Sequence, residues 1–191
     1  MHLPQNWLLA TALVLGLAGL EVAAQGQGTP PRVVGKLVLP AGLSALAGSY
    51  VILPEASDSA IPPIHAAARS FNVFQRGLAI NRLNLVNPPL TSVIIQVPNA
   101  HTAVLLTDGW PAFTHRLDGT ATRWQRNAAE WYDVSARYAA GGLEQRFSGA
   151  HGQRINRYTV SRDHRFLWME VLVVSPELAL PVRYTLTFAR L

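Results

Sequence analysis

Tyr132-Asp133-Val134-Ser135-Ala136-Arg137-Tyr138 alternates apolar or aromatic residues with polar ones, and Gly141-Gly142 then turns the chain into Leu143-Glu144-Gln145-Arg146-Phe147. A period of two is that of a strand with one face on a core and the other in water. A glycine pair between two such runs marks an antiparallel hairpin. The pattern repeats outward from there. Upstream, Ser92 to Val97 and Ala103 to Thr107 are β-rich, with Asp108-Gly109 and Asp118-Gly119 as turn signals. Downstream, His151-Gly152 turns into Ile155 to Ser161, and Arg162-Asp163-His164-Arg165 leads into Phe166 to Val174. Val182, Tyr184, Leu186 and Phe188 then alternate with Arg183, Thr185 and Thr187. Roughly eight or more short strands in sequential hairpins must hide their edges, and closure into a barrel does so most economically. The last strand can pair with a first one at Gly48 to Leu53, near Tyr50. A two-sheet sandwich is the other solution.

The pattern differs only near the start of the chain. Ala41 to Ala47 suits a single helical turn before the first strand. Beyond Pro62-Pro63, the residues Ile64, Ala67, Phe71, Phe74 and Leu78 fall at spacings of three and four, which predicts one helix over about 63–83, ended by Asn87-Pro88-Pro89. Before residue 41, Gln25 to Pro40 is a leader rich in Gly and Pro with a short β-like run, Val33 to Leu39. The uncharged stretch Trp7 to Leu20 has the length of a secretory h-region and falls short of the roughly 20 residues of a membrane-spanning helix. Val22-Ala23-Ala24 supplies small residues for cleavage after Ala24. The first six residues carry no Lys or Arg, so a retained anchor is the alternative. The expected organisation is a signal peptide at 1–24, a leader at 25–40 and a β-barrel domain at 41–191.

Composition narrows the setting. The chain has no cysteine, so neither a disulfide nor lipid attachment to a cysteine at the cleavage site can form. Removing residues 1–24 from the 191 leaves 167, enough for one domain with its own core. An exported chain of this size without disulfides points to a bacterial periplasm or secretion. The formal charge of +5 rises to +6 once Glu21 leaves, and Lys36 is the only lysine among the basic residues. The arginines are scattered singly, which fits a solvated surface and weak contact with anionic envelope components, not specific nucleic-acid binding.

Several short segments, taken together, resemble a known group. Leu46-Ala47-Gly48-Ser49-Tyr50-Val51-Ile52-Leu53 followed by Ser57-Asp58, then Asn87-Pro88-Pro89-Leu90, Leu117-Asp118-Gly119-Thr120, Gly141-Gly142-Leu143 and the closing Tyr184-x-Leu186-x-Phe188-x-Arg190 resemble uncharacterised secreted bacterial lipocalin-like (calycin-type) β-barrel proteins. The resemblance implies an up-and-down antiparallel barrel of about 8–10 strands with one helix inserted after the first barrel strand. It also implies a ligand cavity, and an aromatic plug at the barrel base made by Tyr50 with Arg183 or Arg190. Tyr50 stands where classical lipocalins carry tryptophan.

Most catalytic chemistry finds no support. His65, His101, His115, His151 and His164 show no metal-ligand spacing, and there is neither a Gly-x-Ser-x-Gly elbow nor a phosphate-cradling loop ahead of a helix. Asp58, Asp108, Asp118 and Asp163 stand at cap or turn positions, where aspartate has a structural use. The cavity candidates are the aromatics Tyr50, Trp124, Tyr138, Phe147, Tyr158, Tyr184 and Phe188, with Asn156 on the face of Tyr158. Glu170 joins them, sharing the face of Phe166, Trp168, Leu172 and Val174, where it is either paired with an arginine or in contact with a ligand. A barrel of about eight strands either fills with side chains or holds one small ligand, and inward aromatics fit both. The expected function is therefore an exported, monomeric, non-enzymatic binding protein for a small apolar or amphipathic ligand, with no cofactor and no metal. The alternative is an envelope interaction protein with a filled barrel. An outer-membrane barrel or a hydrolase ranks behind both.

Overall fold

The computed structural model describes residues 41–108, 110–128 and 130–191. The signal-like stretch and the run Val33 to Leu39 lie outside the described residues. Ten strands form one antiparallel sheet: β1 Gly48–Ile52, β2 Ser92–Asn99, β3 Thr102–Thr107, β4 Phe113–Arg116, β5 Thr122–Asn127, β6 Glu130–Ala139, β7 Gly142–Gly149, β8 Gly152–Val160, β9 Phe166–Val174 and β10 Val182–Arg190. Their order, β4-β3-β2-β1-β10-β9-β8-β7-β6-β5, is that of a meander curled until its first and last strands meet. Tyr50 pairs with Arg190 across β1 and β10 as expected. The hairpin that decided the fold turns on Ala140 (φ 49°) and Gly141 (φ 73°), the two positive-φ positions of a type I′ loop whose twist matches the strands it joins.

The curl is not fully closed by hydrogen bonds. Among the described residues, β4 and β5 are the free edges of the sheet, and a single bridge, Asp118 to Arg137, crosses from the β4–β5 connection to β6. Side chains close the seam instead. Phe113 of β4 meets Trp124 of β5 edge to face at 5.1 Å. The edges are short, and β5 carries Arg123 and Arg126 within it, features that discourage pairing with another chain.

Helix α1 (Ala41–Leu46) closes one end of the barrel, its Leu43 and Leu46 fully buried with Tyr50, Tyr158, Leu167 and Phe188. Arg190 stacks its guanidinium 5.2 Å from the Tyr50 ring centroid and donates to Tyr50 Oη at 2.6 Å and to the carbonyls of Ala45 and Ala47. Tyr50 in turn donates to the Leu46 carbonyl at 2.8 Å. The tyrosine–arginine plug thus uses Arg190; Arg183 is exposed on the outer face.

The opposite end carries the insertion between β1 and β2. In place of one helix over 63–83 there are two, α2 (Ile61–Ala67) and α3 (Val73–Val86), separated by a 3₁₀ turn at Ala68–Ser70 and an extended Phe71. Asn72 caps α3, its side chain accepting from the Gln75 amide at 3.0 Å. That cap redirects the chain, so the expected apolar stripe is split: Ile64 and Ala67 are buried, whereas Phe74 and Leu78 are 96% and 55% exposed.

Candidate functional site

Register places the inward side chains in three layers. Tyr138, Leu143, Tyr158, Met169 and Leu186 lie side by side near the base, and Ala136, Gln145, Asn156, Val171 and Tyr184 form the middle. Val134, Phe147, Arg154, Val173 and Val182 form the layer nearest α3. The base layer is almost wholly apolar. The middle layer is not.

A continuous polar chain runs through the interior. Arg154 Nε donates to Asn156 Oδ1 at 2.8 Å, Asn156 Nδ2 donates to Gln145 Oε1 at 3.2 Å, and Gln145 Nε2 lies 2.9 Å from His115 Nε2. Because that amide nitrogen can only donate, His115 Nε2 accepts, which fixes the imidazole as neutral with its proton on Nδ1. Burial favours the same state and pushes the His115 pKa down to about 4. Tyr158 also reaches Gln145 Oε1, at 3.4 Å, and burial pushes its phenol pKa up. On its other side Arg154 donates to the Val86 carbonyl and, at 2.6 Å, to Asn87 Oδ1, which also accepts from Tyr184 Oη at 3.0 Å. Arg154 is buried, and among the described residues no carboxylate pairs with it. A buried cation satisfied only by neutral oxygens is the most conspicuous electrostatic feature of the interior.

Above this network the barrel opens into a cavity of about 590 Å³ beneath α3. Leu78, Arg82 and Leu83 of α3 form its roof, and Trp110, Tyr132, Phe147, Arg126 and Arg154 line the barrel side. Below it, the space beside Gln145, Arg154 and Asn156 shrinks to about 10 Å³, the lower limit for one water. Aromatic rings make the cavity wall: Trp110 lies 5.6 Å from Trp124 and 5.1 Å from Phe147, and Trp124 lies 5.8 Å from Tyr132. Two guanidinium groups flank the Trp110 indole, Arg126 at 5.5 Å and Arg154 at 6.0 Å from its ring. Such a surface favours an apolar body with a negative or hydrogen-bond-accepting end.

The sequence-derived candidates divide among these regions. Tyr50, Tyr138, Tyr158 and Phe188 face inward but belong to the packed base. Asn156 and Tyr184 belong to the polar network. Phe147 lines the cavity, and Trp124 stands behind it in the aromatic wall. Glu170 does not face inward: it is exposed on the outer face, opposite Arg157 in register, while Leu167, Met169, Val171 and Val173 point into the core. Both faces of β9 are largely apolar, so period two alone cannot tell inside from outside there. Arg154, Gln145 and His115 went unselected. Alternation had a usable signal for Arg154, since it stands two residues before Asn156 on the same face.

Neither a protein-family model nor a curated protein sequence matches the chain. Among solved structures it is similar to fatty-acid-binding protein 1 of Echinococcus granulosus, at 9% identity over 78% of this chain and 98% of that one, with a TM-score of 0.50. It is also similar to an abundant heat soluble (SAHS) protein of Ramazzottius varieornatus, at 10% identity over 77% of this chain and 96% of that one, with a TM-score of 0.51. At these identities the likeness speaks for the fold alone: a curled, lipocalin-like antiparallel barrel with a helical insertion after its first strand.

Proposed function

We propose that this chain is an exported binding protein for a small amphipathic lipid with an acidic head, held in the cavity beneath α3 with its tail against the aromatic wall. The observation that carries the reading is the pairing of that cavity, about 590 Å³ in volume, with a buried Arg154 that has no carboxylate partner among the described residues. The volume is in the range of small-molecule sites, and a carboxylate would give Arg154 the charged partner it lacks. Binding of fatty acid by the Echinococcus granulosus protein is, by its name, a property of that protein; the shared fold adds weight to the same class here. Export to a bacterial periplasm remains part of the proposal and rests on residues 1–24.

Native mass spectrometry of the protein purified from a periplasm, with the denatured protein as mass reference, tests both parts. The expected result is a chain starting at Gln25 that carries a discrete adduct lost on denaturation. A folded, adduct-free protein that also takes up no added oleate would sink the ligand reading. The filled-barrel alternative has its own support, the packed interior below the cavity, and would then stand in its place.

A further inference from the structure

The two arginines that flank Trp110 share a second feature. Arg126 Nη2 donates to the Leu85 carbonyl at 2.6 Å, and Arg154 Nη1 donates to the Val86 carbonyl and to Asn87 Oδ1. Leu85 and Val86 are the last two residues of α3, and Asn87 is its C-cap. Three acceptors gripped by the pair, the Leu85 and Val86 carbonyls and Asn87 Oδ1, are therefore oxygens at the C-terminal end of one helix, where the aligned peptide dipoles amount to about half a negative charge. A carboxylate brings a full charge and two oxygens in the geometry a guanidinium prefers. Both arginines line the cavity from which such a head would approach.

Little else holds α3 down. Leu83 is its only buried residue, with Ile80 partly buried against the core, while Val73, Phe74 and Leu85 are 78%, 96% and 63% exposed. The Glu130 carboxylate, 3.5 Å from Arg126, is half exposed and offers weak competition.

We infer that the Arg126–Arg154 pair is an anion seat filled by the protein's own α3 C-terminus, and that an anionic head group takes the seat by displacing Leu85, Val86 and Asn87, which unlatches α3. The inference rests on the ligand reading above and adds to it a head-group class and a consequence for the lid. A neutral lipid of the same chain length would fill the apolar cavity and leave the latch in place.

Hydrogen exchange over residues 73–87 of the full mature chain tests this, with oleate and oleyl alcohol as probes and their binding measured in parallel. Oleate should speed exchange in the last two turns of α3 about tenfold, oleyl alcohol should not, and Arg126→Gln should produce part of that speeding with no lipid present. Arg126 is partly exposed, so this variant keeps the core intact. If oleate binds and exchange in α3 is unchanged or slowed, the latch is wrong and the ligand reading survives. If both lipids speed exchange equally, the head group is not the trigger and the latch is again wrong. If neither lipid binds, both readings fall.

Discussion

The two ends of the barrel are closed by the same device with opposite consequences. At the base, Arg190 grips the carbonyls of Ala45 and Ala47 around the end of α1; at the mouth, Arg126 and Arg154 grip those of Leu85 and Val86 at the end of α3. In both places a guanidinium also lies against an aromatic ring, Tyr50 below and Trp110 above. What differs is the packing. Helix α1 drives Leu43 and Leu46 into the core, whereas α3 buries only Leu83, with Ile80 partly buried, and leaves a cavity under it. An arginine at a helix end sets position, but buried apolar area decides whether the helix is a permanent plug or a movable cover.

The strongest way to break this contrast is to truncate one leucine at each end. Leu46→Ala should lower unfolding stability by about 4 kcal/mol, since it opens a cavity among fully buried neighbours. Leu85→Ala, at a position 63% exposed, should change it by less than about 0.5 kcal/mol. Urea unfolding measures both. Similar losses at the two sites would mean that α3 is as firmly packed as α1, and the comparison would collapse.

Between the two ends lies the polar layer, and pH probes it. His115 is held neutral in the folded state, with its pKa lowered from 6.5 to about 4. The sign follows from linkage. Above pH 6.5 the residue is neutral in both folded and unfolded chains and has no effect. As pH falls through 6.5 towards 4 the unfolded chain takes up the proton first, so stability is lost over that window, by up to about 3 kcal/mol. His115→Gln should flatten the decline in unfolding free energy between pH 7 and 4 relative to the parent. Identical slopes would show that His115 is not held neutral in the folded chain.

A third, smaller effect concerns the grips themselves. Arg190→Met keeps the aliphatic bulk and removes donors to Ala45, Ala47 and Tyr50, at a cost of about 2 kcal/mol, moderated because Arg190 Nε is already buried without a partner. Arg126→Gln at the mouth should cost under about 1 kcal/mol, because its donor group is near solvent and the helix it holds is barely packed. Thermal unfolding of the two variants side by side checks the ranking, and an equal or inverted ranking would contradict it.

How much of this was legible in the sequence depends on whether the signal was local. The hairpin around Gly141-Gly142, which turns on Ala140-Gly141, and the meeting of the last strand with the first near Tyr50 follow from alternation, turn residues and the resemblance, whereas the choice of Arg190 over Arg183 and the edge strands β4 and β5 do not. Strand β9 defeats alternation because hydrophobic residues occupy both of its faces, so alternation there assigns Glu170 to the wrong face. The helix break at Asn72 was written in the chain as Asn72-x-x-Gln75, a cap preceding a new helix, yet the continuing three-and-four spacing masked it. The resemblance implies a cavity, but its place was not legible. It forms where α3, the β5–β6 turn and the β7–β8 turn converge, and no periodicity within one segment encodes that meeting.

The subtlest test asks whether the outer face of α3 contributes anything to the fold. Val73 and Phe74 sit in its first turn, 78% and 96% exposed, with Asn72 capping just before them. Burying a phenylalanine is worth roughly 1.5–3 kcal/mol, so a ring left almost wholly in water contributes almost none of it. Phe74→Ser replaces that ring with a residue well tolerated in a first helical turn, and the unfolding midpoint should stay within about 0.5 kcal/mol of the parent. The same substitution at Phe188, buried at the base, would leave a large void and an unsatisfied hydroxyl and should prevent stable folding. If Phe74→Ser destabilises the isolated protein by more than about 1 kcal/mol, α3 is anchored through its outer face as well as through its arginine-held end. The difference between the two ends of the barrel would then lie in how each helix is anchored, not in how firmly.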